Sequence, residues 1–262
     1  MSKRTIRGSR AVVTGASSGI GREIVLELAR QGAQVVAVAR RESRLRELAD
    51  RVRAEGGEMR WVTGDITEPS VRGEVLDTAR TEFGGLDILV NNAGVGAMGK
   101  FEDADPERLR TVMELNFFAL VEMTRLALPL LRQGTQPIVV NVSSILGLRG
   151  TPYSSEYSAS KFAVEGFSQA IRAEFTPHHI DVLVVNPGTT ETEFFDSVVE
   201  KTGEPTWPQH TAVTPAYVAR KTVRAIRGGR HSIIPYFWGK VLIWLQRLSP
   251  RLVDGLMSRY VS

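Results

Sequence analysis

Short apolar runs rich in β-branched residues recur along the chain at 11–14, 35–39, 59–62, 88–91, 138–142, 182–186 and 232–234. Between them, apolar positions repeat at helical spacing near 19–31, 42–55, 69–83, 106–132, 156–175 and 214–228. Runs this short and this continuously apolar read as strands covered on both faces, and strand–helix alternation implies parallel neighbours. The pattern predicts an α/β fold, a Rossmann-like doubly wound parallel sheet of about seven strands with helices on both faces. In such sheets ligands lie outside the carboxyl ends of the strands. Asp105-Pro106 supplies an N-cap followed by proline at the first helical position. No internal repeat, low-complexity tract or linker interrupts the alternation, so residues 1–262 read as a single domain.

The chain has 262 residues, 42% hydrophobic and 24% charged, as expected of a globule with one sizeable core. It contains no cysteine, which excludes disulfides and thiolate chemistry. The basic start, Met1 to Arg7, is not followed by an apolar segment, and no apolar run approaches the roughly 18 residues that span a bilayer. The expectation is a cytoplasmic protein. Net charge is +4, unevenly distributed: from Arg220 onward nine cations face a single acid, Asp254. These arginines are interleaved with apolar residues rather than clustered, which argues against nucleic acid as a partner. His178, His179 and His231 read as loop or surface residues, and no ligand cluster stands at metal spacing, so no metal is expected.

After the first strand come glycines at 15, 19 and 21, with Ser17, Ser18 and Ile20 between them, and then the helical positions Ile24, Val25, Leu28 and Ala29. A strand, a tight glycine turn and a helix start let the backbone approach a ligand closely. Free N–H groups and the helix dipole then suit a pyrophosphate. Further on, Tyr157 and Lys161 stand four apart, on one face of a predicted helix. An ammonium beside a phenol favours phenolate, so the pair predicts a tyrosine pKa drawn below its usual value of about 10. A phenol tuned that way exchanges protons with a carbonyl or alcohol oxygen.

Other motifs fall at strand ends: Asn91-Asn92-Ala93-Gly94, Ser143-Ser144 and Asn186-Pro187-Gly188, with Asn116 inside a long helical pattern. The spacing T-G-x-x-x-G-x-G, together with Y-x-x-x-K and these motifs in order, resembles the short-chain dehydrogenase/reductase family over residues 8 to 235. The resemblance implies an oxidoreductase that transfers a hydride between a nicotinamide and a carbonyl/alcohol pair. By that resemblance Tyr157 is general acid or base, and Lys161 lowers its pKa and bonds the nicotinamide ribose. Ser144, thirteen residues before Tyr157, polarises the substrate oxygen, and Asn116 holds a water in a proton relay to Lys161. The same resemblance assigns Gly15, Ser17, Ser18, Gly19, Ile20 and Gly21 to the dinucleotide. Asp65 and Ile66 fall at the adenine, Asn92, Ala93 and Gly94 along the cofactor, and Pro187, Gly188, Thr190 and Thr192 beneath the nicotinamide. Asn91 is expected to tie strands together, and Ser143 to end its strand.

The second strand ends in Arg40-Arg41 with no acid before Glu42. A carboxylate there would repel a 2′-phosphate, whereas guanidinium pairs with it bidentately, so NADP(H) is expected over NAD(H).

The resemblance makes residues 189–212 a lid over the substrate; Phe194, Phe195 and Trp207 there either line an apolar pocket or pack on the core, with Met98 and Leu146 or Leu148 as the other pocket edges. An apolar, bulky substrate follows from that lining, and the resemblance to family members with basic, aromatic C-terminal extensions implies a steroid-, retinoid- or acyl-like one. An acyl carrier-protein reductase-like enzyme and a non-catalytic nucleotide-binding regulator are the alternatives. Residues 236–262 extend beyond the resemblance as two amphipathic helices. Phe237, Val241, Leu245 and Leu248 share a face with Trp238; Lys240 and Arg247 are expected opposite, and Ser249-Pro250 to cap the second helix. The extension suits the pocket mouth, an oligomer interface or peripheral contact with a membrane surface. The resemblance also implies a homodimer or homotetramer built through the helices carrying Asn116 and Tyr157.

Overall fold

The computed structural model describes residues 4–194, 198–199 and 212–260. Phe195, Trp207 and most of the expected lid lie outside the described residues. Seven parallel strands are ordered β3-β2-β1-β4-β5-β6-β7. They are β1 (Arg10–Thr14), β2 (Gln34–Ala39), β3 (Glu58–Thr63), β4 (Ile88–Asn91), β5 (Ile138–Val142), β6 (Asp181–Val185) and β7 (Ser232–Ile233). The helices are α1 (Gly19–Arg30), α2 (Glu42–Ala54), α3 (Pro69–Phe83), α4 (Pro106–Met113), α5 (Ala119–Leu131), α6 (Ser155–Glu174), α7 (Pro215–Arg227), α8 (Phe237–Leu248) and α9 (Pro250–Met257).

Successive strand residues point to opposite faces, and both faces are dry. Val13, Val35, Ala37, Val90 and Val140 pack under α1, α2 and α7, whereas Val12, Val36, Leu89 and Val139 pack under α3, α5 and α6. This two-sided burial is why the inner strands are apolar at every position rather than at alternate ones. The edge strand β3 keeps its alternation, with Glu58 and Arg60 in solvent. The chain order reverses between β1 and β4, and their splayed C-terminal ends open the crevice in which such sheets bind ligands.

The helix expected over 106–132 is interrupted. It begins as predicted, with Pro106 at the first position and the Asp105 carboxylate accepting from Glu107 N–H at 2.8 Å. A π-helical turn then runs from Glu114 to Phe118 and separates α4 from α5. The wider turn carries Asn116 inward, where it is fully buried. At the other end of the chain, Ser249 precedes α9 as expected but makes no side-chain cap bond.

Candidate active site

A groove of about 780 Å³ lies over the C-terminal ends of the central strands. Every residue singled out by sequence for cofactor or catalysis lines it, except Gly21 and Asn116. Both exceptions act from behind the wall. A Cβ on Gly21 would collide with Asn92 Nδ2 and the carbonyl oxygen of Gly15, so this glycine permits close packing of turn against helix. Asn116 holds the main chain of Val95 from both sides: its Oδ1 accepts from Val95 N–H at 2.8 Å, and its Nδ2 donates to Val95 C=O at 2.9 Å. Its second amide hydrogen goes to Ser160 Oγ at 3.0 Å, leaving one Oδ1 lone pair.

The glycine turn is built for an anion. Gly15 and Gly19 have φ of 66° and 55°, a region that a side chain strains. Ser18 occupies the N-cap of α1 but makes no side-chain cap bond, so no hydroxyl covers the first N–H groups of the helix. Thr14 Oγ1 accepts from the N–H groups of Asn92 and Ala93, each at 3.0 Å, and Asn92 Nδ2 donates to Thr14 C=O at 2.9 Å. These bonds staple the 92–94 segment to the end of β1. Asn91 does tie elements together, donating to Thr124 Oγ1 and Asn141 Oδ1 at 2.9 Å each.

At the end of β2 the two arginines differ. Arg41 donates to Ser17 Oγ at 3.1 Å and to Ser18 Oγ at 2.7 Å, placing its guanidinium over the glycine turn. Arg40 projects further into solvent, 3.8 Å from Asp65 Oδ2. Asp65 Oδ1 accepts from the N–H and hydroxyl of Thr67, which fixes the turn after β3. Glu193, which nothing in the sequence pattern marked as functional, meets Arg41 at 2.8 Å.

The reactive end gathers Ser144, Tyr157 and Lys161 from two elements. Ser144 follows β5, and its Oγ accepts from Leu146 N–H at 3.1 Å. Tyr157 and Lys161 stand on consecutive turns of α6, with Lys161 Nζ 5.7 Å from the centre of the phenol ring. The ammonium donates to Val142 C=O at 3.0 Å. Gly94, Asn116 and Lys161 are adjacent: a Cβ on Gly94 would lie 3.0 Å from Asn116 Oδ1 and 3.4 Å from Lys161 Nζ.

The expected downward pull of Lys161 on Tyr157 is not the dominant influence. Burial pushes the phenol up to about 12, opposed by a hydrogen bond with Ser144. Burial also lowers the Lys161 ammonium to about 8. Each group is costlier to charge because the wall around it is apolar. A phenol held protonated is a proton donor.

Pro187, Gly188, Thr190 and Thr192 form the wall beyond β6. Thr190 Oγ1 donates to Gly188 C=O at 3.0 Å, and Thr190 forms an isolated bridge with Val213. Tyr236 packs so closely on Gly188 that a Cβ there would overlap its ring, a long-range contact with no signature in the local sequence. Met98, Leu146 and Phe194 line the substrate side as expected; Leu148 does not. The ring of Phe194 lies 5.5 Å from that of Tyr157. Ile145 and Leu115 also line the groove, which the sequence pattern did not mark.

A family model for short chain dehydrogenases matches residues 9–203. The chain is 37% identical to 11-beta-hydroxysteroid dehydrogenase A of Sesamum indicum over 261 residues, covering 95% of this chain and 74% of that protein. It is also 37% identical to 3-ketodihydrosphingosine reductase of Bacteroides thetaiotaomicron over 195 residues, covering 74% of this chain and 69% of that one. Among solved structures, a short chain dehydrogenase/reductase of Burkholderia phymatum in complex with NAD superimposes with a TM-score of 0.86 at 25% identity, covering 95% of this chain and 96% of that chain. An alcohol dehydrogenase of Thermococcus sibiricus complexed with 5-hydroxy-NADP gives 0.77 at 25% identity, covering 86% and 95%. The chain belongs to the short-chain dehydrogenase/reductase family, NAD(P)-dependent oxidoreductases that act on CH–OH groups.

Proposed function

We propose that this protein is an NADP(H)-dependent reductase of a lipophilic carbonyl compound, with Tyr157, Lys161, Ser144 and Asn116 as its working residues. The observation that carries the reading is the Tyr157 phenol beside Ser144, with Lys161 one turn further along α6, at the wall of a groove whose far end is an uncapped helix N-terminus under Arg41. The uncapped N–H groups of α1 fit a pyrophosphate, and Arg41, backed by Arg40, fits a 2′-phosphate. Asp65 and Ile66 would flank the adenine, Asn92, Ala93 and Gly94 the length of the cofactor, and Pro187 to Thr192 the nicotinamide. When bound, the nicotinamide supplies or accepts the hydride.

The chain's own groups handle the oxygen and its proton. Ser144 Oγ donates to the substrate oxygen and keeps it against Tyr157. Tyr157 gives its proton to that oxygen as negative charge develops there, and in reverse accepts it. Lys161 stabilises the phenolate left behind, since a cation at this distance in a dry wall favours that charge. Asn116 fixes the Val95 segment opposite and keeps one lone pair for a relay water serving Lys161. Met98, Leu146 and Phe194 give the substrate an apolar bed, which suits the hydroxysteroid and 3-ketodihydrosphingosine in the two relatives' names.

Oligomerisation through the helices carrying Asn116 and Tyr157 belongs to the same proposal. Phe118, Leu126 and Phe162 project from the π turn, α5 and α6 as exposed apolar residues, as a second copy would require.

The test is a substrate panel of ketosteroids, long-chain ketones and oxoacyl thioesters, run with NADPH and NADH beside Tyr157→Phe. The expected result is turnover with NADPH that the substitution lowers by roughly 10²–10⁴, with NADPH affinity retained. Tight NADPH binding without turnover on any substrate would favour a non-catalytic regulator. An unimpaired Tyr157→Phe would end the proposed chemistry.

A further inference from the structure

Helices α8 and α9 carry a surface that the oxidoreductase site does not explain. Gly239 and Ile243 form the inner side of α8. A Cβ on Gly239 would meet Ile145 at 2.8 Å, so the helix lies directly on the segment that follows Ser144. The outward side is a stripe at helical spacing: Phe237, Trp244 and Leu248 are 67%, 61% and 64% exposed, with Val241 between them half-buried. Leu252 and Leu256 continue it on α9, which packs against α8. The expected division of α8 is therefore corrected. Lys240 and Arg247 flank the exposed apolar stripe, and the face opposite the stripe is the one packed on the protein.

Charge selects the occupant of this surface. Lys240, Arg247, Arg251 and Arg259 are all exposed around the stripe. The only acid after Arg220, Asp254, is already engaged by Arg149 at 2.7 Å. A second copy laid here about a two-fold axis would set these cations against one another with no acid to separate them. The exposed apolar residues of α5 and α6 differ, standing among Glu122, Arg125 and Glu114 of both signs. An anionic lipid surface satisfies both features of the α8–α9 face. Its acyl boundary accepts the stripe, its interface suits tryptophan, and its headgroups face the cations.

We propose that α8 and α9 form an interfacial foot that docks this protein on an anionic bilayer surface. Because α8 rests on Ile145, which lines the groove beside Ser144, the foot sets the substrate end of the groove next to the lipid. That consequence rests on the proposed lipophilic substrate; the docking itself does not.

Co-sedimentation of the full chain with phosphatidylcholine vesicles, with and without phosphatidylserine, tests the foot without any turnover. The protein should partition onto the serine-containing vesicles and leave them as salt is raised. Trp244→Ser with Leu248→Ser should lower partitioning at least about tenfold, given the apolar area removed. Lys240→Glu with Arg247→Glu should abolish the preference for anionic vesicles. All variants should melt like the parent, since the altered side chains face solvent. No partitioning by the parent overturns the proposal. If the Trp244/Leu248 variant then has a lower mass by light scattering, a second copy covers the face. Binding to polyglutamate without binding to vesicles would instead point to an acidic protein, and also overturns it.

Discussion

Arg41 and Glu193 meet across the mouth of the groove, Nη1 to Oε2 at 2.8 Å, with Arg44 also reaching Glu193 at 3.5 Å. The carboxylate comes from the segment after Thr192 and is held below its usual pKa range by the Arg41 hydrogen bond. Its Oε2 accepts from Arg41 and its Oε1 faces Arg44, so one carboxylate bridges the two guanidinium groups. If NADP(H) is the cofactor as proposed, its 2′-phosphate and Glu193 would compete for the Arg41 guanidinium.

Arg41→Ala should raise the NADPH KM by about tenfold or more, since a charge-assisted bond to phosphate contributes about 1.5–3 kcal/mol. The NADH KM should change little, because the 2′-hydroxyl asks for no cation. Glu193→Gln should lower the NADPH KM or leave it as it is. An equal loss with both cofactors for Arg41→Ala would assign that residue to the turn, not to the 2′-phosphate.

Lys161 exposes a conflict between stability and function. Its folded pKa of about 8, against 10.5 when unburied, means that folding disfavours the charged form. The penalty is full below about 8, eases as pH rises from about 8 to 10.5, and is absent above. It is on the order of 3 kcal/mol at neutral pH. Lys161→Met should therefore raise Tm near neutrality, by less at about pH 10, while turnover collapses. A Tm that falls equally at both pH values would mean that the bond to Val142 outweighs burial of the charge.

Ser144 lowers the Tyr157 pKa against burial. Ser144→Ala should move the phenol further up. In alcohol oxidation, where the proposed chemistry makes Tyr157 the base, the rising limb of the pH–rate profile should shift to higher pH. In reduction the donor stays protonated across the neutral range, so the rate should fall without a shifted profile. A profile unmoved in both directions would remove Ser144 from contact with the phenol.

Next to Tyr157, Glu156 is buried and pairs with buried Arg108, Nη2 to Oε1 at 2.6 Å and Nε to Oε1 at 3.1 Å. Burial raises the Glu156 pKa, but the bonds from Ser155 and Arg108 outweigh it and hold the carboxyl below its usual range. Its contribution to stability is present above about 4.5 and is lost as pH falls through the folded pKa. Arg108→Ala leaves a buried carboxylate with the Ser155 hydroxyl but without its cation and should cost about 3–5 kcal/mol near neutrality. It should also flatten the acid loss of stability, which urea melts across that pH range would read. A loss of stability that stays the same at acid pH would point to packing instead of the ion pair.

Gly21→Ala places a methyl against the carbonyl oxygen of Gly15, which cannot rotate away. The expected cost is roughly 1–3 kcal/mol in stability, with weakened binding of either cofactor because the turn must shift. Unchanged NADH and NADPH affinity would show that the turn tolerates the displacement.

The sequence by itself determined the element order, the parallel sheet and most of the groove lining. Strand burial and helix periodicity are local patterns, and the motifs sit at strand ends that this topology brings together. Gly15, Ser144, Tyr157 and Lys161 were legible as groove residues because residue type and spacing mark them and the topology brings strand ends together. Only the tertiary structure decided the π turn that turns Asn116 towards Val95, and the burial that raises the Tyr157 pKa and lowers that of Lys161. Burial is a sum over neighbours distant in sequence, so no local spacing encodes it. The same holds for Glu193 against Arg41, 152 positions apart, and for Tyr236 on Gly188. For α8 the amphipathic pattern was visible but its orientation was not. Gly239 faces inward where a Cβ would meet Ile145 at 2.8 Å, Ile243 is buried beside it, and Phe237, Trp244 and Leu248 are left outside.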